Sequence, residues 1–504
     1  MYMKKLILIF AAAALVFSCN LYEEPTDSVT YEEGGQLIAT PEELYGFEAG
    51  ILSNYRAVHN GMYNIIEEVM LDGFNASAGF GNNYGSVHRT DDSYTSSDSY
   101  IDSYWTNHYV VIKNYNVLID ALDDKINIPE GYEDMARVIQ GEAYFFRAEA
   151  YMNLVRRFAK DYDPGDATSL GVPVVIHYDL DAKPGRNTVH EVYAQIKSDL
   201  DAAAERLAEE TGETGAEYPT MDAVNALYAR YYLDTEDWEK ADASADLVIN
   251  TGRYNLSKTA AALQTESRED SGSEAILTLF GNSSSEVPNS TNVFTNMFSS
   301  QDYGLCYRSL FLPTRKLVNA YGAGDIRGQV WFSSTDYYTE VNGSYYRGNF
   351  ATFVKYQGNP NLYSGNIPNG CQKVKPFLIS EMYLIKAEAL ARNGKTLAAK
   401  TPLNTLQSAR GATSTSGTLE NIQAEWFRET VGEGLRLSCL KRWGQGFSDR
   451  EGQAGALAVN AIMTGQYYDQ RAVEPDSYLL VWPIPAGEIK LNTNLEQNDG
   501  YGLQ

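Results

Sequence analysis

The sequence predicts a mainly α protein, a scaffold of helical repeats interrupted by an irregular, partly β insertion. Three observations lead there. Apolar residues recur at three- and four-residue spacing over long stretches on both sides of the middle of the chain, the mark of helices with one buried face. Two helical pairs, Thr220 to Asn250 and Ile379 to Ala409, each fold back once at a short break. Between them, from about Ser257 to Pro376, the spacing fades and Gly, Asn, Ser and Tyr dominate.

At the N-terminus, Lys4 and Lys5 precede an unbroken apolar run from Leu6 to Phe17, the charged and apolar regions of a secretory signal. That run is too short for a permanent membrane span. Its end, Leu15-Val16-Phe17-Ser18-Cys19, resembles a bacterial lipobox, in which the cysteine becomes the lipidated N-terminus after cleavage. Residues 1–18 are therefore expected to be a lipoprotein signal peptide, and 19–38 a polar, acidic tether carried by lipidated Cys19.

Thr40-Pro41-Glu42-Glu43 combines a capping box with proline at the first helical position. Leu44, Phe47, Ile51, Tyr55 and Val58 continue one buried face. From Asp72 to Tyr104 the periodicity vanishes and glycines, asparagines and aromatics alternate, a loop long enough to be functional. Trp105 is read as the start of the next helix, and Arg137 to Arg157 as a third with Ala143, Phe146, Ala150 and Leu154 as its stripe. Gly171 to Val175 reads as extended. Thr188-Val189-His190-Glu191 is a second capping box, ahead of Val192, Ile196, Leu200, Ala203 and Leu207.

The pair Thr220–Leu233 and Asp237–Asn250 closes at Gly252, and its Asp237-Trp238-Glu239-Lys240-Ala241, with Ala245, resembles the second helix of a tetratricopeptide repeat. The second pair breaks at Asn393-Gly394, where glycine suits a left-handed cap. Within the insertion, Tyr337 to Tyr346 around Asn342-Gly343 reads as a β-hairpin with a type I′ turn.

Composition narrows the function. The formal charge is −26, and loss of Lys4 and Lys5 with the signal makes it more negative still. Nucleic acid and anionic membrane surfaces both reward basic patches, so neither is an expected partner. There are 37 Tyr against 18 Phe and 6 Trp, an excess of rings that can sit half exposed. Cys306, Cys371 and Cys439 are an odd set, so one at least is free within the chain, and a Cys306–Cys371 pairing stays open.

Trp426-Phe427-Arg428-Glu429, Glu433-Gly434-Leu435-Arg436, Leu440-Lys441-Arg442-Trp443-Gly444, Pro483-Ile484-Pro485 and Asn492 through Gln497-Asn498-Asp499-Gly500-Tyr501 resemble the SusD/RagB family. Gln140 to Ala148 and Glu381 to Ala389 extend the match over essentially the whole mature chain. One departure is Ser438-Cys439, where the family usually carries an acidic residue. The resemblance implies a SusD-like fold on four tetratricopeptide-like units, anchored by lipid at the cell surface of the outer membrane. It also implies capture of oligosaccharide, or of peptide in RagB-like members, for a SusC-like TonB-dependent transporter. In these terms the helical scaffold occupies about 39–255 and 376–445, the insertion 256–375 and a C-terminal segment 446–504. Arg436, Arg442 and Trp443 are expected to fix helix packing rather than touch ligand.

The rival from another class is a secreted glycoside hydrolase, because 66 acidic residues make carboxylate pairs easy to find. The alternation of strand and helix of a barrel hydrolase is missing. Five histidines form no HExxH motif, Gly79 to Gly85 has one residue too many for GxGxxG, and Asp91, Ser93, Thr95 and Asp102 lack the central glycine of a calcium loop. Neither catalysis nor a cofactor or metal is expected.

A sugar ring offers a C–H face to an aromatic side chain while its rim hydroxyls need amide or guanidinium partners. The resemblance implies a cradle built from the loop before the second long helix and from the insertion, here Gly73 to Tyr104 and about Ser284 to Tyr346. The expected platforms are Tyr84, Tyr94, Tyr100, Trp331, Tyr337 and Tyr338. Asn82, Asn83 and Arg89 are their expected polar partners.

Overall fold

The computed structural model describes residues 38, 40–59, 62–123, 128–179, 181–281, 283–284, 286–287, 292–300, 304–334, 336–341, 344–363 and 368–502. The signal, Cys19 and most of the tether lie outside the described residues. Helix α1, Pro41–His59, opens on the expected capping box: the Thr40 N–H donates to Glu43 Oε2 at 2.9 Å and the Glu43 N–H to Thr40 Oγ1 at 3.2 Å. α2 is Met62–Met70.

The scaffold is a sequential stack. α3 (Ser99–Asp123) packs on α4 (Glu133–Phe158), α4 on α5 (Val189–Arg206), α5 on α6 (Met221–Asp234) and α6 on α7 (Trp238–Ile249). The chain then departs, and α8 (Ile379–Arg392) returns directly against α7 before pairing with α9 (Thr396–Ala409). Everything from the end of α7 to the start of α8 is thus inserted between two helices that are neighbours in space. Ala241 and Ala245 of α7 are fully buried, and small side chains permit such close approach. Gly394 turns α8 into α9 at φ 72°, as the Asn-Gly break predicts. α10 (Leu419–Glu429) and α11 (Arg436–Arg442) complete the scaffold.

Two of the expected boundaries differ. α3 starts at Ser99 rather than Trp105, because Asp98 Oδ1 accepts from the N–H groups of Tyr100 at 2.9 Å and Ile101 at 3.3 Å and so nucleates the helix a turn and a half earlier. The stretch from Asp72 to Tyr104 is also more ordered than a loop: it holds strand β1 (Phe74–Ala76), the short helix Gly85–Arg89 and the start of α3.

In the insertion, β2 (Ala275–Leu277) pairs antiparallel with β10 (Phe377–Leu378) and closes its base. β3 (Met297–Ser300), β4 (Gly304–Tyr307), β7 (Asp336–Val341) and β8 (Ser344–Asn349) form one sheet in that order. The β7–β8 hairpin pairs Val341 with Ser344, so two residues separate the strands; those two, Asn342 and Gly343, lie outside the described residues. β5 (Phe311–Pro313) pairs with β1, which ties the insertion to the segment before α3. β6 (Phe332–Ser333) pairs with β9 (Thr352–Phe353). A small second core around Tyr307, Tyr337 and Phe350 lies under the hairpin. Cys306, Cys371 and Cys439 are buried, and none of them forms a disulfide among the described residues.

Buried ion pairs stitch these parts together. Arg410 at the end of α9 donates to both carboxylate oxygens of Glu274 at 2.7 Å and also pairs with Glu429. Arg436 donates to Asp72 at 3.0 and 2.9 Å, and Arg442 to Glu388 at 2.9 and 3.0 Å, with Trp443 Nε1 on the same carboxylate at 2.9 Å. The expectation that Arg436, Arg442 and Trp443 serve packing matches these contacts.

Candidate functional site

The segment from Ser77 to Thr90 is gripped from two sides. The Ser77 N–H donates to the Leu310 carbonyl of the insertion at 2.8 Å, and the Ala78 N–H to the Ala461 carbonyl of the C-terminal segment at 2.7 Å. Asn82, Tyr84 and Thr90 take the left-handed conformation with φ of 59°, 54° and 46°. Such strain costs on the order of 1–3 kcal/mol per residue and persists where the surroundings enforce it. Gly85 makes room here, since a Cβ would fall 2.1 Å from Asn82 Oδ1 and 2.8 Å from Arg89 Nη1 and would displace both side chains.

That close approach lets Arg89 span the turn. Its Nη1 donates to Asn82 Oδ1 at 2.7 Å, its Nε to Asp91 at 2.7 Å and its Nη2 to Ser93 at 3.2 Å, while Tyr468 OH lies 3.5 Å from Nη1. Burial alone would raise the Asp91 carboxyl, but hydrogen bonds from Ser93 and Arg89 outweigh it and hold it below the usual range. Tyr84 stacks on Tyr100 with ring centroids 4.4 Å apart and planes 21° apart, and its N–H donates to the Tyr100 hydroxyl at 3.2 Å. Burial, with Tyr100 adding to it, pushes the Tyr84 phenol up to about 12, so it stays a neutral donor and acceptor. Asn83 donates to the Phe80 carbonyl at 2.6 Å and is exposed.

Asn82, Asn83, Tyr84, Arg89 and Tyr100 therefore share one surface. The other expected platforms do not join it. Tyr94 is 5% exposed, its ring edge-on to Tyr501. Tyr337 is fully buried, donating to the Ser309 carbonyl at 3.1 Å and packed on Phe350. Trp331 is 2% exposed at the end of the short helix Ile326–Val330, with Lys355 Nζ 4.1 Å from its ring centroid, and it lines a partly open cavity of about 140 Å³. The expectation that these three are surface platforms is corrected: they are packing residues, because a ring so enclosed has no face to offer a surface ligand. Tyr338 follows Tyr337 in β7 and so lies on the opposite face of the strand, half-buried and paired across the hairpin with Arg347.

The C-terminal segment supplies residues that sequence reasoning passed over. Tyr468 sits edge-on to Phe80 at 6.2 Å and reaches Arg89. Arg471 donates to the Thr90 carbonyl at 3.0 Å and its hydroxyl at 2.6 Å, under the ring of Tyr467. The available signal was the adjacent tyrosines in Gly465-Gln466-Tyr467-Tyr468-Asp469-Gln470-Arg471, set in a polar stretch without helical spacing. Among the described residues, no group of three or more His, Cys, Asp or Glu is placed to hold a metal ion. Half-exposed tyrosines beside amides and a guanidinium form an arrangement able to stack a flat C–H face and bond the hydroxyls around it.

Residues 49–233 match the family described as "Starch-binding associating with outer membrane", and residues 329–501 match the SusD family. The chain belongs to the SusD/RagB family. Among relatives of this SusD/RagB chain, the Starch-binding protein SusD of Bacteroides thetaiotaomicron is 31% identical over 130 residues, which cover 25% of this chain and 21% of that protein. The match thus spans about a fifth of that relative's length. SusD-like protein P2 of Formosa agariphila is 23% identical over 445 residues, 80% of this chain and 81% of the relative. A SusD superfamily protein from Bacteroides thetaiotaomicron, solved by crystallography, has the same fold at a TM-score of 0.73 and 23% identity, covering 90% of this chain and 99% of that one.

Proposed function

We propose that this protein is a cell-surface, lipid-anchored lipoprotein of the outer membrane that binds oligosaccharide and passes it to a SusC-like TonB-dependent transporter. Membership of a family whose description is starch binding in association with the outer membrane supports the sugar and the location. The observation that carries the ligand assignment is the half-exposed Tyr84–Tyr100 stack beside Asn82, Asn83 and Arg89. Capture needs no nucleophile or acid–base pair there, and the role is binding without turnover. Tethering at Cys19 would raise the local concentration of captured chain and transporter together, so modest contacts suffice.

The test is affinity electrophoresis of the soluble mature chain in gels containing single polysaccharides, run beside a reducing-sugar assay. The expected result is retardation by at least one polysaccharide with no release of reducing ends. Enzymatic release would replace binding by hydrolysis, and capture of peptides alone would replace sugar by peptide. Transporter pairing is tested separately by purification from detergent-solubilised membranes, where a SusC-like chain should accompany the protein.

A further inference from the structure

Trp331 does not face the surface, yet it does face empty space. The cavity it lines, about 140 Å³, lies on the seam between scaffold and insertion: α2 gives Asn64, α4 gives Asn153, and the insertion gives Trp331 and Tyr356. At roughly 10–15 Å³ of such space for one water, it has room for several waters or one small polar molecule in their place.

Its charges are already matched. Lys355 donates to Glu433 at 2.6 Å, His59 lies 3.2 Å from Glu149, and Arg410 pairs with Glu274. Burial raises the carboxyl of Glu266, which favours its neutral form. A charged guest would enter at the full cost of desolvation and meet no uncompensated net charge. What is left over is hydrogen-bonding capacity rather than net charge: among the described residues Arg157 Nε, on a guanidinium whose charge is met by Glu67 at 2.8 Å, Trp331 Nε1 and Glu266 Oε1 are buried without a partner. Among the described residues the side-chain amide of Asn64 has no hydrogen-bond partner, and Asn153 uses only its oxygen, accepting from Arg157 at 3.2 Å. Half-buried amides beside aromatic rings are the same pairing of polar rim and flat wall that suits a sugar, here at the scale of one ring.

We propose that this partly open cavity is a second binding site, separate from the surface stack and sized for a single neutral monosaccharide. Because its walls come from both the scaffold and the insertion, occupancy clamps the seam between them. The site stands independently of whether the surface binds a polysaccharide.

The experiment uses the soluble mature chain with D-glucose, D-galactose and N-acetyl-D-glucosamine, each alone at up to 50-fold over a millimolar starting concentration. Binding is followed by melting temperature, tryptophan fluorescence and amide hydrogen exchange. At least one sugar should raise the melting temperature and slow exchange in residues 370–376 and 432–435, since a ligand that binds only the folded state stabilises it. Asn64→Phe, which fills the cavity from its rim, should abolish the response, whereas Tyr84→Ala should keep it. Exchange mapping on the unaltered chain decides the matter if Asn64→Phe does not fold. No response to any of the three sugars, protection confined to residues 80–100, or a response lost in Tyr84→Ala would each overturn the proposal.

Discussion

Arg442 of α11 and Glu388 of α8 form a fully buried two-pronged ion pair, at 2.9 and 3.0 Å, in which Trp443 Nε1 shares the carboxylate. Burial would raise the Glu388 carboxyl, but Arg442 more than offsets this and holds it below its ordinary value. Removing one partner strands a charge in the core. Glu388→Leu should therefore cost about 3–5 kcal/mol in urea unfolding. Adding Arg442→Met should restore most of that loss, short of the Trp443 bond. A double variant no more stable than the single would mean that the ion pair contributes attraction well beyond its desolvation cost.

Trp331 separates packing from surface binding. Trp331→Ala removes a buried ring and should cost about 3–5 kcal/mol of stability. Retardation by polysaccharide, measured well below the melting transition, should be unchanged. A loss of polysaccharide affinity with stability intact would return Trp331 to the surface site.

Glu68 predicts a decline in stability toward alkaline pH. Its carboxyl is raised from 4.5 to about 8 by burial and then by the neighbouring Glu67. The native state thus keeps a proton that the unfolded chain releases above about 4.5. Its contribution is full below that value and is lost as pH rises toward 8. Glu68→Gln retains an acceptor for the Gly434 N–H, which Glu68 meets at 3.1 Å. Relative to the unaltered chain, the variant should gain urea resistance steadily from pH 5 to pH 8.5. A difference independent of pH would show that Glu68 is ionised in the fold.

Cys19→Ala tests the anchor. Metabolic labelling with a fatty acid should vanish, and the chain should accumulate unprocessed or leave the membrane fraction. Persistent lipid label would place the attachment elsewhere.

The scaffold was legible because its signals are local. Both capping boxes formed as read at Thr40 and Thr188, and the second helical pair turns at Gly394 as read, whereas the first turns at Glu236, at φ 61°, with no glycine. The start of α3 was misplaced because Asp98 caps it through side-chain bonds to Tyr100 and Ile101, a signal hidden among polar residues. The candidate surface was half legible. Asn82, Tyr84 and Arg89 lie within one turn of chain, so composition pointed to them. Tyr468 reaches Arg89 across 379 residues, and the burial of Tyr337 depends on which face of β7 meets the small core, neither of which spacing along the chain can report.

The measurement closest to the central claim compares the unaltered chain with Tyr84→Ala/Tyr100→Ala by calorimetry, against whichever polysaccharide retards the unaltered chain most. One stacked sugar face of some 50 Å² is worth about 1–1.5 kcal/mol at roughly 25 cal/mol per Å². Loss of the stack should therefore weaken binding about tenfold or more, equal to about 1.4 kcal/mol, with the circular dichroism spectrum unchanged. Equal affinity in the two proteins, at equal stability, would contradict the account.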